Sequence, residues 1–116
     1  MHEHYELISK TADMPKDADF CLIMDTDEME PIIAKGERVY ISRHQSPEPM
    51  EVGVFYHRGR IYCRQYCEDY SGALLLLCAN PLRENENLIL DKAQRKDCIC
   101  LGKVLLNKKP PMPFYV

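Results

Sequence analysis

Apolar residues occur along this chain in short runs, some alternating with polar ones and some continuous, with turn residues between them. No stretch keeps the three-to-four-residue apolar period of an amphipathic helix, so the pattern predicts strands. The first run is Phe20–Asp25 (FCLIMD), followed by an acidic loop that ends at Pro31. Lys35-Gly36 marks a turn, and Arg38–Arg43 (RVYISR) alternates as a half-buried strand should. The prolines of HQSPEPMEVG remove backbone donors, which makes that segment a loop. Val54–His57 and Arg60–Glu68 flank Arg58-Gly59, a two-residue connection suited to a tight hairpin with glycine at positive φ. After the DYSG turn, Ala73–Ala79 (ALLLLCA) is continuously apolar, which predicts a strand buried on both faces. Asn80-Pro81 ends it. Beyond the polar PLRENEN stretch, a short strand is expected at Leu88–Leu90 and a long one at Cys98–Leu106. The tail KKPPMPFYV cannot continue a sheet and is expected to pack across the surface or onto a partner.

These elements predict a mainly-β domain with small sandwich- or barrel-like antiparallel sheets. A chain of 116 residues supplies one modest core. Three segments are expected: an N-terminal extension (1–16), a β domain (17–107) and a Pro-rich tail (108–116). No repeat, low-complexity segment or helix-turn-helix pattern is present.

Composition narrows the function classes. No apolar run is long enough for a membrane helix, so no membrane partner is expected. The opening MHEHYELISK lacks the apolar centre and cleavage site of a secretory signal, and a cytoplasmic location is expected. A formal net charge of −3 argues against a domain that grips nucleic acid by itself. Acidic residues concentrate before Pro31, whereas Lys92, Arg95, Lys96, Lys103, Lys108 and Lys109 make the C-terminal side basic, read as a solvated edge.

Six cysteines occur, too few for a disulfide scaffold. Cys63/Cys67 and Cys98/Cys100 have even spacings that put each pair on one strand face, yet neither is a C-x2-C knuckle. With Cys21 and Cys78 they are read as small buried apolar side chains, and no metal or other cofactor is expected. His2 and His4, in a terminus expected to fray, offer at most an adventitious metal clip.

Four segments carry a resemblance. Asp17–Val39 (DADFCLIMDTDEMEPIIAKGERV) is similar to the start of the peptidase domain of LexA-like and phage-type repressors, where a strand enters a Gly-Asp-Ser-Met-x-Pro loop. Val52–Tyr66 (VGVFYHRGRIYCRQY) resembles the section with a G-x-x-V-x-K-R strand. LLLLCANP resembles an L-x-L-x-x-N-P strand and turn, and CICLGKVLL the closing I-x-G-K-V strand. The resemblance spans residues 17 to about 106, in order, and implies the LexA/signal-peptidase β-ribbon fold.

The family chemistry pairs a serine nucleophile with a lysine whose amine is deprotonated by burial. The resemblance puts Glu28 at the serine position, within Asp27, Glu28, Met29, Glu30 and Pro31, and Arg64 at the lysine position. A guanidinium stays protonated and cannot serve as general base. A carboxylate attacking a peptide would form an anhydride with nothing to assist the departing amine. No catalytic residue is therefore assigned. Carboxylate and guanidinium can instead form an ion pair at the old active site, the alternative being that both are simply exposed and unrelated; a separation well beyond about 4 Å would exclude the pair. Self-cleaving relatives cut an Ala-Gly or Cys-Gly bond before the first strand, and residues 1–19 contain no glycine.

Ser42 with Lys35, Ser46, Ser71, and His57 with Cys63 or Cys67 are read as structural, and Asp25, Asp27, Glu28 and Glu30 as a solvated loop rather than a divalent-cation site. The resemblance implies a non-catalytic regulatory and dimerisation domain of a repressor-type protein, serving a fused or separate DNA-binding domain. Cys98, Ile99, Cys100, Leu101, Val104 and Leu105, with Met112, Pro113 and Phe114, are the expected homodimer surface. An active Ser–Lys peptidase and a small cysteine-based metal domain are the alternatives.

Overall fold

The computed structural model describes residues 5–106, the side chains of Tyr5 and Glu6 excepted. Eight strands follow in chain order: β1 (Tyr5–Ser9), β2 (Phe20–Met24), β3 (Arg38–Ser42), β4 (Val52–His57), β5 (Arg60–Glu68), β6 (Leu74–Leu77), β7 (Leu88–Leu90) and β8 (Cys98–Leu105). Short 3-10 turns at Pro81–Glu86 and Gln94–Asp97 complete the regular elements. All eight strands join one antiparallel sheet in the order β1-β2-β3-β8-β4-β5-β6-β7. The mainly-β expectation holds, with the separate small sheets linked into one.

Two elements differ from the pattern. Tyr5–Ser9 pairs with β2 along its length, although its polar, acid-rich surroundings carry no strand signal. Pairing to a ready-made edge supplies what intrinsic propensity does not. The PLRENEN loop is also a 3-10 turn, started by Asn80, whose side chain accepts from the Leu82 amide.

The β4–β5 hairpin closes on Arg58-Gly59 with both residues at positive φ, 49° and 84°. That combination matches the right-handed twist of the flanking strands. β8 is the pivot of the sheet. Its second half pairs with β3 through Lys103–Leu105, and its other edge pairs with β4 from Cys98 to Lys103. At the junction Gly102 leaves no room for a side chain: a Cβ there would strike the Ser42 carbonyl oxygen and lie 2.7 Å from Ile41 Cγ2.

The main core gathers Leu22, Met24, Val39, Ile41, Val52, Val54, Cys63 and Val104 from five strands. Met29 and Ile33, from the loop between β2 and β3, complete it with no exposed surface. A second cluster of Phe55, Leu74, Leu76 and Leu90 lies under the β6–β7 end, and a third joins Met14, Ala18 and Cys21. Because Met29 and Ile33 are core residues, the polar loop that carries them cannot drift.

The cysteines divide. Cys21, Cys63 and Cys78 are buried, as small apolar residues should be, but Cys67 and Cys98 are only partly covered and Cys100 is exposed. Reading all six as core is corrected: Cys67 and Cys98 lie where the sheet face is only partly covered, and Cys100 where it is open.

Candidate functional site

The loop from Asp25 to Gly36 is built from within and latched from outside. Ile33 N–H donates to the Met29 carbonyl at 2.9 Å, Gly36 N–H to Met24 at 2.6 Å, and the Glu37 carboxylate accepts from Ala34 N–H at 2.8 Å. Asn80, 8% exposed at the end of β6, is the latch. Its backbone N–H donates to the Glu28 carbonyl at 3.0 Å and its side-chain amide to the Asp27 carbonyl at 2.8 Å. Arg83 adds two hydrogen bonds to the Asp27 carboxylate, from Nε at 2.8 Å and Nη2 at 3.1 Å. That guanidinium holds the Asp27 carboxyl below its usual range, chiefly by hydrogen bonding.

Held this way, Glu28 points at Arg64. Glu28 Oε1 lies 2.9 Å from Arg64 Nη1, with the arginine side chain 2% exposed and the glutamate 16%. The two residues are 36 positions apart in sequence (64 − 28), one on a loop and one on β5. Arg64 also donates to the Cys63 carbonyl at 3.0 Å and the Glu86 carbonyl at 3.3 Å. Its guanidinium sits 5.4 Å from the Tyr62 ring centroid. The buried charge is thus matched by a carboxylate, two carbonyls and an aromatic face.

A cleft of about 300 Å³ opens beside the pair, walled by Asp25, Asp27, Glu28 and Glu86 together with Lys35 and Arg83. Thr26 lines it as well, its hydroxyl accepting from the Glu28 N–H at 3.5 Å. Burial pushes the Cys63 thiol up to about 12 and that of Cys78 to about 11, so both are protonated at neutral pH. Glu30, in the same loop, accepts from Lys35 N–H at 3.1 Å. Among the described residues no three or more His, Cys, Asp or Glu side chains form a group able to hold a metal ion.

The Peptidase S24-like family model matches residues 1–105. The chain belongs to that family. An S24-like domain is what the strand-loop-hairpin order suggests, and the family match extends it through β1, before the first strand legible in the sequence. None of the curated proteins compared with the chain matches it. Among the described residues, no helix is long and apolar enough to cross a membrane.

The remaining candidate residues fall elsewhere in the S24-like domain. Met29 is a core anchor, and Pro31 follows Glu30 in the same loop. Ser42 is buried on β3 opposite Lys103, whereas Lys35 lines the cleft. Ser71 hydroxyl donates to Asp69 at 2.6 Å within its turn. His57 is paired in register with Arg60 on one side and Cys98 on the other, so its neighbouring thiol is Cys98 rather than Cys63 or Cys67. Of the expected homodimer residues, Val104 is in the main core, Leu101 packs against it and Leu105 joins the third cluster. Val104, buried, is therefore corrected to internal packing, while Leu101 and Leu105 are partly covered by their own subunit. Ile99 and Cys100 retain exposed surface, and Cys98 some. Met112, Pro113 and Phe114, like His2 and His4, lie outside the described residues.

Asn80, Arg83 and Glu86 were not legible as site residues. Asn before Pro signals a turn, which it is, and a polar RENE run looks like solvated surface. Only the folded chain shows that this turn abuts a loop more than 50 residues earlier.

Proposed function

We propose that this S24-like domain is non-catalytic and acts as a regulatory, self-associating module of a repressor-type protein in the cytoplasm. The Glu28–Arg64 ion pair carries the reading. By the motif resemblance these residues occupy the serine and lysine positions, and neither can supply the chemistry needed there. Arg64 cannot shed a proton at working pH. Its guanidinium neutralises the Glu28 carboxylate, and a carboxylate committed to a buried cation is a poor nucleophile. The old reaction centre becomes a clasp that ties the β2–β3 loop to β5.

Self-association is assigned to the open edge of β8. Among the described residues, Cys98–Leu101 pairs with a strand only on the β4 side, because β3 pairs no further than Lys103; the Cys98 N–H donates to the Arg95 carbonyl. An unpaired strand edge is a template for a second copy. Ile99, 55% exposed, lies on that segment next to Tyr56 of β4, itself 40% exposed. Two such edges meeting about a two-fold axis would hold a pair of fused or separate DNA-binding domains at fixed spacing.

Alkaline incubation of the purified chain, followed by intact mass measurement, tests the absence of catalysis. The full-length mass is expected to persist. A fragment whose appearance is abolished in Glu28→Gln or Arg64→Ala would overturn the proposal.

A further inference from the structure

Cys98 and Cys100 lie on β8 ahead of the register shift opposite Val54 and Phe55. Two residues apart in a regular pleat, their side chains leave the same face of the sheet. Both line a depression of about 220 Å³, separate from the Glu28–Arg64 cleft. Pro47, Phe55 and Leu74 form its apolar wall, and Arg95 stands at its polar side. Arg95 is held there by Glu68, at 2.7 Å, and by donation to the Gly72 carbonyl at 2.9 Å. Opposite Cys98 in register is His57, 7% exposed, whose buried Nδ1 has no hydrogen-bond partner among the described residues.

A pair of soft thiols beside an apolar wall selects its ligand by chemistry. Zinc in a structural site wants four ligands in a tetrahedron, and the described residues provide no group of three or more. A trivalent metalloid is satisfied by two sulfurs and keeps one other substituent, which an apolar wall can receive. We propose that Cys98 and Cys100 form a bidentate site for trivalent organoarsenicals of the type R–As(OH)2, with R against Phe55 and Leu74. Binding is a condensation. Two As–O bonds break and two As–S bonds form, each thiol proton leaves with a hydroxyl as water, and no oxidation state changes. Burial raises both thiols above their ordinary range, the charge of Cys100 adding to the effect on Cys98.

Phenylarsine oxide titrated into the reduced full chain tests the assignment. One arsenical per chain is expected, with loss of two titratable thiols. Cys98→Ser and Cys100→Ser should each weaken binding by about 100-fold or more, since the second bond of a chelate forms at high effective concentration. Cys67→Ser should leave it unchanged. Phe55→Leu should weaken phenylarsine oxide more than arsenite, which carries no R group. Should the serine variants unfold by circular dichroism, wild type still decides: Cys98 and Cys100 alone should be protected from alkylation by the bound arsenical. No binding at micromolar concentration, protection of a different pair, or affinity indifferent to either serine substitution in a folded variant overturns the site.

Discussion

Removing the Glu28 carboxylate is the sharpest perturbation of the clasp, because it strands a guanidinium that is 2% exposed. At contact distance, two unit charges in a medium of effective dielectric near 20 attract by about 4 kcal/mol. The cost of burying both offsets much of that, so the pair adds little net stability over an apolar alternative. Breaking it from one side is different. Loss of one partner of a buried pair typically costs about 3–5 kcal/mol, since the other charge stays desolvated. Arg64 would keep the Cys63 and Glu86 carbonyls and the Tyr62 ring. We therefore expect the lower end for Glu28→Ala, about 3 kcal/mol. At about 4 °C per kcal/mol for a domain of this size, that lowers Tm by about 12 °C. Glu28→Gln keeps an acceptor and should cost about 1–2 kcal/mol. Pairing Glu28→Leu with Arg64→Met removes both charges and should recover to within about 1 kcal/mol of wild type. The assay is urea unfolding of wild type, Glu28→Leu, Arg64→Met and the double, combined as a double-mutant cycle. A coupling energy of about 1.5 kcal/mol or more is expected. Additivity within about 0.5 kcal/mol, or a Glu28→Ala change smaller than that, would refute the reasoning.

Stability should fall as pH rises above about 9 in reducing buffer. The unfolded Cys63 thiol ionises near its ordinary value while the folded one, pushed up to about 12, does not. The folded state then holds the extra proton, so stability is full below about pH 8.5 and declines toward 12, by at most about 1.4 kcal/mol per pH unit for that thiol. Cys63→Ala should flatten the slope of the urea midpoint against pH, and an unchanged slope would dismiss Cys63 as its cause. Gly102→Ala should cost about 3 kcal/mol in the same unfolding assay, because the new methyl meets the β3 backbone rather than a movable side chain; a near-neutral result would show that β3 and β8 can part. In light scattering at tens of micromolar, wild type should be a dimer and Ile99→Lys a monomer, since a charge on an open strand edge blocks pairing. A monomeric wild type removes the self-association proposal.

Much of the fold is written in local patterns. Alternation in Arg38–Ser42, the continuous apolar run Leu74–Leu77 and the Arg58-Gly59 turn each announce their element, because backbone pleat and turn geometry depend on near neighbours. The same patterns, through their order, carried the family resemblance. Edge strand β1 was invisible because its stability comes from its pairing with β2 rather than from its own residues.

The site divides along the same line. Residue types alone limit what Glu28 and Arg64 can do, since no fold turns a guanidinium into a base. Whether the two charges would meet was a matter of direction, and direction depends on Met29 and Ile33 being drawn into the core and on Asn80 gripping the loop backbone. The fate of β8 was likewise undecidable from its apolar run. Packing within the subunit buried Val104, partly covered Leu101 and Leu105, and left Ile99 and Cys100 at the surface. Sequence determined which chemistries this protein's side chains can perform, because reactivity belongs to the functional group. Tertiary structure decided which groups meet, because distance and burial arise only when strands far apart in the chain share one sheet.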